Sequence, residues 1–234
     1  MERPTPTPRR GLPIGRAALL GTFAAGVGGI AVAPALSRLL SSAVPSAPGG
    51  LADVLPGVGG SWRIYSIQYP LPRFDPKTYE LSITGLVGNP VRLRWNAVAE
   101  LPGERQTSDF HCVTGWSVND VRWEGIRPQT IIDLVRPTAA AKFVSLQSME
   151  APYIDQVSME QFRAPDVMLA RHMDDKPLTR SHGSPLRLVI PSMYGYKGVK
   201  WVRELRFDAT QTPGYWEQRG YDTDAFIGKS NGYG

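Results

Sequence analysis

The chain has 234 residues, 42% of them hydrophobic, so it is long enough for one well-buried domain with appendages. Its net charge of +5 comes mainly from residues 1–45, which carry five arginines and one acidic residue. The rest of the chain has 21 basic and 20 acidic residues (26 − 5 and 21 − 1), a balance that excludes the strongly basic surface typical of nucleic-acid binding.

The N-terminal segment is typical of a membrane-targeting sequence. A basic, proline-rich stretch precedes residues 17–36, which carry no charge. The Arg9-Arg10 pair before this apolar run indicates twin-arginine export to the periplasmic or extracytoplasmic side, with either cleavage or anchoring by the apolar run. We therefore expect three parts: an export signal or membrane anchor (1–45), a flexible linker (46–60) and a folded domain (61–234).

Short apolar runs separated by proline and glycine follow, and they predict a mixed α+β domain richer in strands than in helices. The segment PDVMLARHM fits either a strand or a helix. The chain has no glycine-rich dinucleotide turn and no P-loop. We predict strands at 79–87, in RLRW, in QTSDFHCVT, in AKFVSLQSM, at 185–190 and at 199–207, with helices starting at Asn96 and spanning 127–135.

The one cysteine of the chain, Cys112, lies in the segment DFHCVTGWS, near the end of a predicted strand. Three roles suit a solitary thiol: a small core residue, a nucleophile with a positioned base, or a soft metal ligand. The adjacent His111 would point to the opposite face of a strand, and the three histidines are too scattered for an ordinary zinc site. The residue chemistry leaves all three roles open.

The segments SHGSPLRLVIP and SMYGYKGVKWV have the composition of an anion-binding site. Gly183 allows close approach of the backbone to a ligand, and Arg187 offers a planar fork that matches phosphate. The glycine-rich loop that follows adds two cations, Lys197 and Lys200, and exposed amides, as in an anion-binding nest. Alone, this loop also fits a solvated turn. Two such loops on either side of one strand favour an anion site.

Together, these segments resemble the molybdopterin-binding domain of the sulfite oxidase family. The match is carried by CVTGWS, HGSPLRLVIP and YGYKGVKWV, with MDDKPLTR leading into the second, and it covers about residues 61–220. The branch that looks most similar contains the catalytic subunit of bacterial periplasmic methionine-sulfoxide reductases. The resemblance implies a β-rich, mixed-sheet α+β fold and a molybdenum-molybdopterin cofactor.

The resemblance also implies roles for individual residues. Cys112 is implied to be the catalytic thiolate ligand of molybdenum, because the pterin dithiolene supplies the other sulfurs. Trp116 follows the family pattern and also suits core packing. Arg163, Arg171 and Tyr194 are candidates for a substrate mouth. The implied cofactor contacts besides Cys112 are Ser66, Tyr69, Ser148, His182, Arg187, Gly198, Val199 and Lys200.

The implied activity is oxygen-atom transfer to or from a small oxide or oxyanion. Reduction of S-oxides or related oxides is favoured by the resemblance to the reductase branch. The residues after Cys112 lack the arginine-rich continuation of the sulfite oxidases, which argues against sulfite oxidation. A reductase needs external electrons, which indicates a membrane haem- or quinone-linked partner. The alternatives are sulfite-oxidase-like oxidation and a non-catalytic, membrane-anchored binding or assembly subunit.

Overall fold

The computed structural model describes residues 62–229, so the predicted leader, apolar run and linker lie outside the described residues. The strands of the described part are β1 Glu80–Gly85, β2 Val91–Arg94, β3 Glu104–His111, β4 Ser117–Ile126, β5 Phe143–Ser148, β6 Ile154–Ser158, β7 Met168–Met173, β8 Lys176–Pro177, β9 Arg187–Val189 and β10 Val202–Asp208. The helices are α1 Trp95–Glu100, α2 Pro128–Val135, α3 Met159–Phe162 and a 3₁₀ turn, Glu217–Arg219.

The strands form two sheets. The first has the order β2-β1-β10-β5-β6, with β1 parallel to β10 and the other neighbours antiparallel. The second has the order β3-β4-β7-β8, and β9 also pairs with β7. All pairs of this second sheet are antiparallel. The predicted α+β class, with more strand than helix, is confirmed.

The larger hydrophobic core lies against the first sheet. Alternation in β1 buries Leu81 and Ile83 on one face, and the helical spacing of α2 buries Ile131 and Val135. Pro128 starts α2, where its missing N–H costs no intrahelical hydrogen bond. The predicted helix at 127–135 is therefore confirmed, because periodicity and the start signal agree.

Two predicted starts differ from the structure, and one segment that the sequence left open is resolved by it. Helix α1 begins at Trp95 and not Asn96, and the Trp95 ring packs 5.0 Å from Phe74 between centroids, so packing outweighs the cap. The segment 168–173, which fits either helix or strand by sequence, is a strand that pairs on both edges. The last strand begins at Val202 and not at residue 199, because Trp201 has a left-handed φ of 53°.

Connections between strands meet at one end of the domain and surround the site described below. They are the β3–β4 turn, the β5–β6 turn, the β8–β9 connection and the long β9–β10 connection. The segment 62–67 and part of the chain after β10 complete this arrangement. Within residues 62–229, no helix is both long enough and apolar enough to cross a membrane.

Candidate active site

A cavity of about 270 Å³ opens where these segments meet. Its size is close to the lower end of the range for small-molecule and cofactor sites. Aromatic side chains form much of the wall, including Trp62, Tyr65, Trp116, Trp216 and Tyr221. Polar groups from the cysteine turn and from the β9–β10 connection complete the wall. The cavity therefore combines an apolar surface with a few polar groups at defined places.

Cys112 lies directly after β3, in a tight turn, and its side chain lines the cavity. The Cys112 N–H donates to the Trp116 carbonyl at 2.9 Å, and the Gly115 N–H donates to the Cys112 carbonyl at 3.0 Å. Gly115 has a φ of 86°, a conformation that favours glycine. The cysteine is half-buried, and its sulfur lies 3.2 Å from Thr114 Oγ1. The turn thus presents the sulfur to the cavity.

His111 is separated from the cavity although it precedes Cys112. Its Nδ1 lies 2.8 Å from Ser117 Oγ, and the residue does not line the cavity. Its carbonyl accepts a hydrogen bond from the Gly195 N–H at 2.8 Å. The backbone of His111 thus holds the cysteine turn against the glycine-rich loop, while its side chain contacts Ser117 across the β3–β4 pair. This placement gives no support for His111 as the base of a cysteine nucleophile.

Three side chains, His182, Arg187 and Lys200, bring nitrogen atoms to the cavity wall. Burial, together with the charges of Arg187 and Lys200, lowers the pKa of His182 to about 4. Burial and the charge of Arg187 lower the pKa of Lys200 to about 7, against the opposing effect of Glu150. Burial lowers the pKa of Arg187 to about 10. The positive charges of Arg187 and Lys200 are therefore only partly balanced by negative charge at this wall.

Two buried nitrogen atoms of this wall have no hydrogen-bond partner among the described residues: His182 Nε2 and Arg187 Nε. Buried polar groups are normally paired, so these atoms indicate a site for an acceptor-rich ligand. The Arg187 guanidinium packs over the rings of Trp62, Phe110 and Trp123, with 5.9, 5.6 and 5.2 Å to their centroids. The residues therefore fit an anionic group such as a phosphate.

Two glycines allow the backbone to approach this wall closely. Gly183 has a φ of 100°, and a Cβ there would lie 2.8 Å from the Cβ of Lys200. A Cβ on Gly198 would lie 3.1 Å from the Leu188 carbonyl oxygen and 3.6 Å from Arg187 Nη2. A larger residue at position 183 would displace Lys200, and one at position 198 would press against the Leu188 carbonyl.

The two lysines of the glycine-rich loop have different environments, so the prediction that both contribute to the anion site is wrong for Lys197. Its ammonium donates to Asp155 Oδ1 at 2.7 Å and also to the Glu217 carboxylate, and its side chain is only 1% exposed. Burial lowers the pKa of Lys197, but the two carboxylates outweigh this effect and raise it. The Lys200 ammonium instead donates to the Tyr65 carbonyl at 2.7 Å.

The structure brings six of the predicted site residues to the cavity: Ser66, Cys112, His182, Arg187, Gly198 and Lys200. The other three do not line it. Ser148 donates to the Lys200 carbonyl at 2.8 Å and accepts from the Glu150 N–H at 2.9 Å, so it supports the wall from behind. Val199 is fully buried in the core, and Tyr69 is 72% exposed.

Two further expectations are resolved by geometry. Trp116 lines the cavity, and its Nε1 has no hydrogen-bond partner among residues 62–229, which favours a cavity role over core packing. Arg171 donates to the carbonyls of Val98, Ala99 and Leu101 at 3.0, 2.7 and 3.2 Å, and therefore holds the end of α1. Its proposed place at a substrate mouth is wrong. Neither Arg163 nor Tyr194 lines the cavity.

Glu150 is the most important residue that sequence reasoning missed. Its Oε1 accepts from the N–H groups of Ile67 at 2.8 Å and Gln68 at 3.1 Å, and from the Ser66 hydroxyl. This carboxylate anchors the segment that covers one side of the cavity. Its partners lie more than 80 residues away along the chain, so no local pattern points to it.

A thiol beside a cationic, aromatic-lined cavity in an α+β fold fits an enzyme that binds an anionic cofactor. The family model described as oxidoreductase molybdopterin binding domain matches residues 68–216. The chain therefore belongs to the family of molybdopterin-binding oxidoreductases. The predicted enzyme class and the predicted molybdenum-molybdopterin cofactor are confirmed at the level of the family, and the non-catalytic alternative is set aside.

Relatives agree with this assignment. The chain is 35% identical over 152 residues to the uncharacterized oxidoreductase YuiH of Bacillus subtilis, covering 64% of this chain and 76% of the relative. It is 28% identical to the protein-methionine-sulfoxide reductase catalytic subunit MsrP of Campylobacter jejuni, over 62% and 54% of the two chains. It is 28% identical to the sulfite oxidase of Arabidopsis thaliana, over 65% and 48%. The chain thus spans about half the length of these last two relatives.

A solved structure shows the same fold. The sulfane dehydrogenase SoxCD from Paracoccus pantotrophus superposes with a TM-score of 0.56 at 23% identity, over 60% of this chain and 40% of that chain. At this identity, the likeness concerns the fold alone. It confirms the predicted sulfite-oxidase-type α+β architecture.

Proposed function

We propose that the protein is an exported molybdenum-molybdopterin oxidoreductase that transfers an oxygen atom and reduces S-oxides or related oxides. The observation that carries this proposal is the presence of two features in one cavity. One is the sulfur of Cys112. The other is a group of nitrogen atoms: His182 Nε2 and Arg187 Nε, which have no hydrogen-bond partner among residues 62–229, and the Lys200 ammonium, which donates to the Tyr65 carbonyl. The sulfur suits a soft metal, and the nitrogen atoms suit the phosphate of the pterin.

In this proposal, residues from different walls of the cavity hold different parts of the cofactor. Arg187 and Lys200 supply positive charge to the phosphate, and His182, neutral at physiological pH because of its lowered pKa, supplies a hydrogen bond. Gly198 leaves room for the phosphate beside Arg187. Cys112 binds molybdenum as a thiolate. When bound, the cofactor supplies two-electron oxygen-atom transfer.

The wall next to Cys112 supports a sulfur-containing substrate. Trp116 and Tyr65 lie in a stacked arrangement with 6.4 Å between ring centroids, and Tyr65 is 52% exposed. Aromatic rings make favourable contacts with sulfur groups, and they also exclude water from the reacting atoms. The similarity to MsrP favours reduction of a sulfoxide. The similarity to sulfite oxidase keeps oxidation of sulfite as the second candidate.

Reduction of an oxide consumes two electrons for each oxygen atom removed, so an external donor is required. A membrane haem- or quinone-linked protein is the proposed donor, because residues 1–45 have the pattern of an export signal or anchor.

Three proposed cofactor contacts do not line the cavity: Tyr69, Ser148 and Val199. In this proposal they act indirectly, because they lie on segments next to the cavity. The loop with Tyr69 is anchored by Glu150, and Ser148 holds the carbonyl of Lys200.

Metal analysis and a substrate panel test this proposal. Protein produced with cofactor supply is expected to contain about one molybdenum atom per chain, and Cys112→Ser is expected to lose most of it. Ser117→Ala is the matched control, because this residue lies on the same hairpin but outside the cavity. The reduced, loaded protein should then be oxidised by S-oxides. A protein that oxidises sulfite and reduces no S-oxide or N-oxide would support the second candidate instead.

The export part of the proposal has a separate test. Residues 1–45 fused to a reporter that is active only outside the cytoplasm should give activity that disappears when Arg9 and Arg10 are both changed to lysine. Fractionation of the full chain then distinguishes anchored from released protein. Reporter activity that is unchanged by the double substitution would contradict twin-arginine export.

A further inference from the structure

We propose that Thr114 tunes the sulfur of Cys112 through a hydrogen bond, and that the hydroxyl of Tyr65 holds Thr114 in the required orientation. The inference rests on the proposed function, in which Cys112 binds molybdenum as a thiolate. It adds two positioning residues, which act on the metal through Cys112.

The geometry forms a chain of three side chains along the cavity wall. Thr114 Oγ1 lies 3.2 Å from Cys112 Sγ, and Tyr65 Oη lies 3.4 Å from Thr114 Oγ1. All three residues line the cavity. Among the described residues, Thr114 is the one hydrogen-bond partner of the sulfur. The contact follows from the tight turn, in which Gly115 takes a left-handed conformation and Thr114 points back to the sulfur.

The charge state of the sulfur determines the direction of these hydrogen bonds. A thiolate bound to a metal has no proton, so the hydroxyl of Thr114 has to donate to it. A threonine hydroxyl has one proton, and therefore its oxygen accepts from the phenol of Tyr65. The two hydrogen bonds thus run from Tyr65 to Thr114 and from Thr114 to Cys112, and each group has a suitable partner.

The position of Tyr65 is determined independently of this chain. The Lys200 ammonium donates to the Tyr65 carbonyl at 2.7 Å, and Glu150 accepts from the N–H of Ile67 at 2.8 Å. The segment is therefore held at Tyr65 itself and again two residues later, at Ile67. The phenol reaches a partner 49 residues further along the chain, so the contact is tertiary and does not arise from the turn alone.

A hydrogen bond to a thiolate ligand withdraws negative charge from the sulfur and makes it a weaker electron donor to the metal. The reduced, more electron-rich state of the metal is then stabilised, and the reduction potential rises. Partners of metal ligands typically change affinity or activity by about 10- to 100-fold when removed. Because the Thr114 hydroxyl lies at the exposed surface of the cavity, we expect a value at the low end of this range.

The test compares three variants of the loaded protein: Thr114→Val, Thr114→Ser and Tyr65→Phe. Valine keeps the shape of threonine and removes the hydroxyl, and serine keeps the hydroxyl. We expect valine to lower the midpoint potential, measured by redox titration with a spectroscopic readout of the metal. The expected shift is about tenfold in the redox equilibrium constant, or about 59 mV for a one-electron step. Serine should restore the potential, and Tyr65→Phe should lower it by less.

Molybdenum content, measured on the same samples, separates the two proposals. Wild-type protein without molybdenum, or Cys112→Ser protein with normal molybdenum, would overturn the proposed function. A Thr114→Val protein with normal molybdenum and an unchanged or higher midpoint potential would overturn the role of Thr114 and leave the proposed function intact. Tyr65→Phe leaves the cysteine turn untouched, so an unchanged potential there would overturn the role of Tyr65 without any question of folding.

Discussion

Two regions on either side of the glycine-rich loop use positive charge in opposite ways. In the interior region, Lys197 is surrounded by two carboxylates, Asp155 and Glu217, and is almost completely buried. In the cavity region, Arg187 and Lys200 have no carboxylate within salt-bridge distance among the described residues. The two lysines are only three positions apart in the chain.

The difference shows what each region is built to do. A buried ion pair contributes to a defined fold, and breaking it leaves an uncompensated charge. A buried cation without a partner costs stability until an anion binds, and the binding then stabilises the folded state. The interior region therefore supports the architecture, whereas the cavity region is complete only with a ligand. Substitutions in the interior region should consequently change the stability of the fold, whereas substitutions in the cavity region should change ligand binding.

The largest effect is expected for Lys197→Met. This change leaves Asp155 and Glu217 buried without their cation, and burial together with Glu217 already raises the pKa of Asp155 to about 7 despite the nearby Lys197. We expect a loss of about 3–5 kcal/mol in the free energy of unfolding, measured by urea denaturation of cofactor-free protein. Lys200→Met is the matched control, with an expected change below about 1 kcal/mol. Equal losses for the two variants would abolish the distinction between the regions.

The second-largest effect concerns cofactor retention, for which Lys200 is expected to matter more than Lys197. Lys200→Met removes a cation from the proposed phosphate site, so cofactor affinity should fall by about 10- to 100-fold, the value of one charge-assisted hydrogen bond. The measurement is pterin and molybdenum content after extended dialysis of loaded protein. The folded fraction of a Lys197 variant should retain the cofactor better than Lys200→Met does. The opposite ranking would place the anion at Lys197.

A pH dependence is expected from His182 in the cofactor-free protein. Its pKa is lowered from 6.5 to about 4 on folding, so the unfolded chain binds more protons between these values. Stability contributed by this group should therefore increase as the pH rises from about 4 to 6.5. We expect His182→Asn to flatten the pH profile of the unfolding free energy by about 3 kcal/mol at most over this window. A profile with the same slope in both proteins would contradict the buried, neutral state of His182.

The smallest effect is expected for the carboxylate that anchors the cavity cover. Glu150→Ala removes the acceptor for Ser66, Ile67 and Gln68, whereas Glu150→Gln keeps an acceptor oxygen. We expect Glu150→Ala to increase hydrogen exchange and proteolytic cleavage around residues 62–68, with a change of about 1 kcal/mol in global stability. Glu150→Gln should behave more like the wild type. Unchanged protection in Glu150→Ala would show that other contacts hold this segment.

Local patterns predicted those parts of the fold and site in which neighbouring residues determine the outcome. The α2 helix follows from its spacing and from Pro128, and the position of Cys112 at a strand end agrees with the strand predicted in QTSDFHCVT. Gly183 and Arg187 were predicted because their chemistry is readable from one short segment. The structure places Arg187 in the cavity wall and Gly183 directly against Lys200, which is another residue of that wall.

Other parts depend on contacts between distant residues. Lys197 and Lys200 look alike in the sequence, but the partners of Lys197 lie 42 and 20 residues away. Glu150 has no local signal for the same reason. The start of β10 is moved by Trp201, whose indole N–H donates to the Arg180 carbonyl at 2.8 Å, and alternation alone does not reveal this contact. Tertiary hydrogen bonds overrode local preference at each of these positions.

The cavity wall has a consequence for the order of events during biosynthesis. Its lining comes from residues near both ends of the described part, including Trp62 and Tyr65 at one end and Trp216 and Tyr221 at the other. A ribosome therefore has to release almost the whole domain before this wall can close. The pterin can accordingly be enclosed only after almost the whole domain has been synthesised.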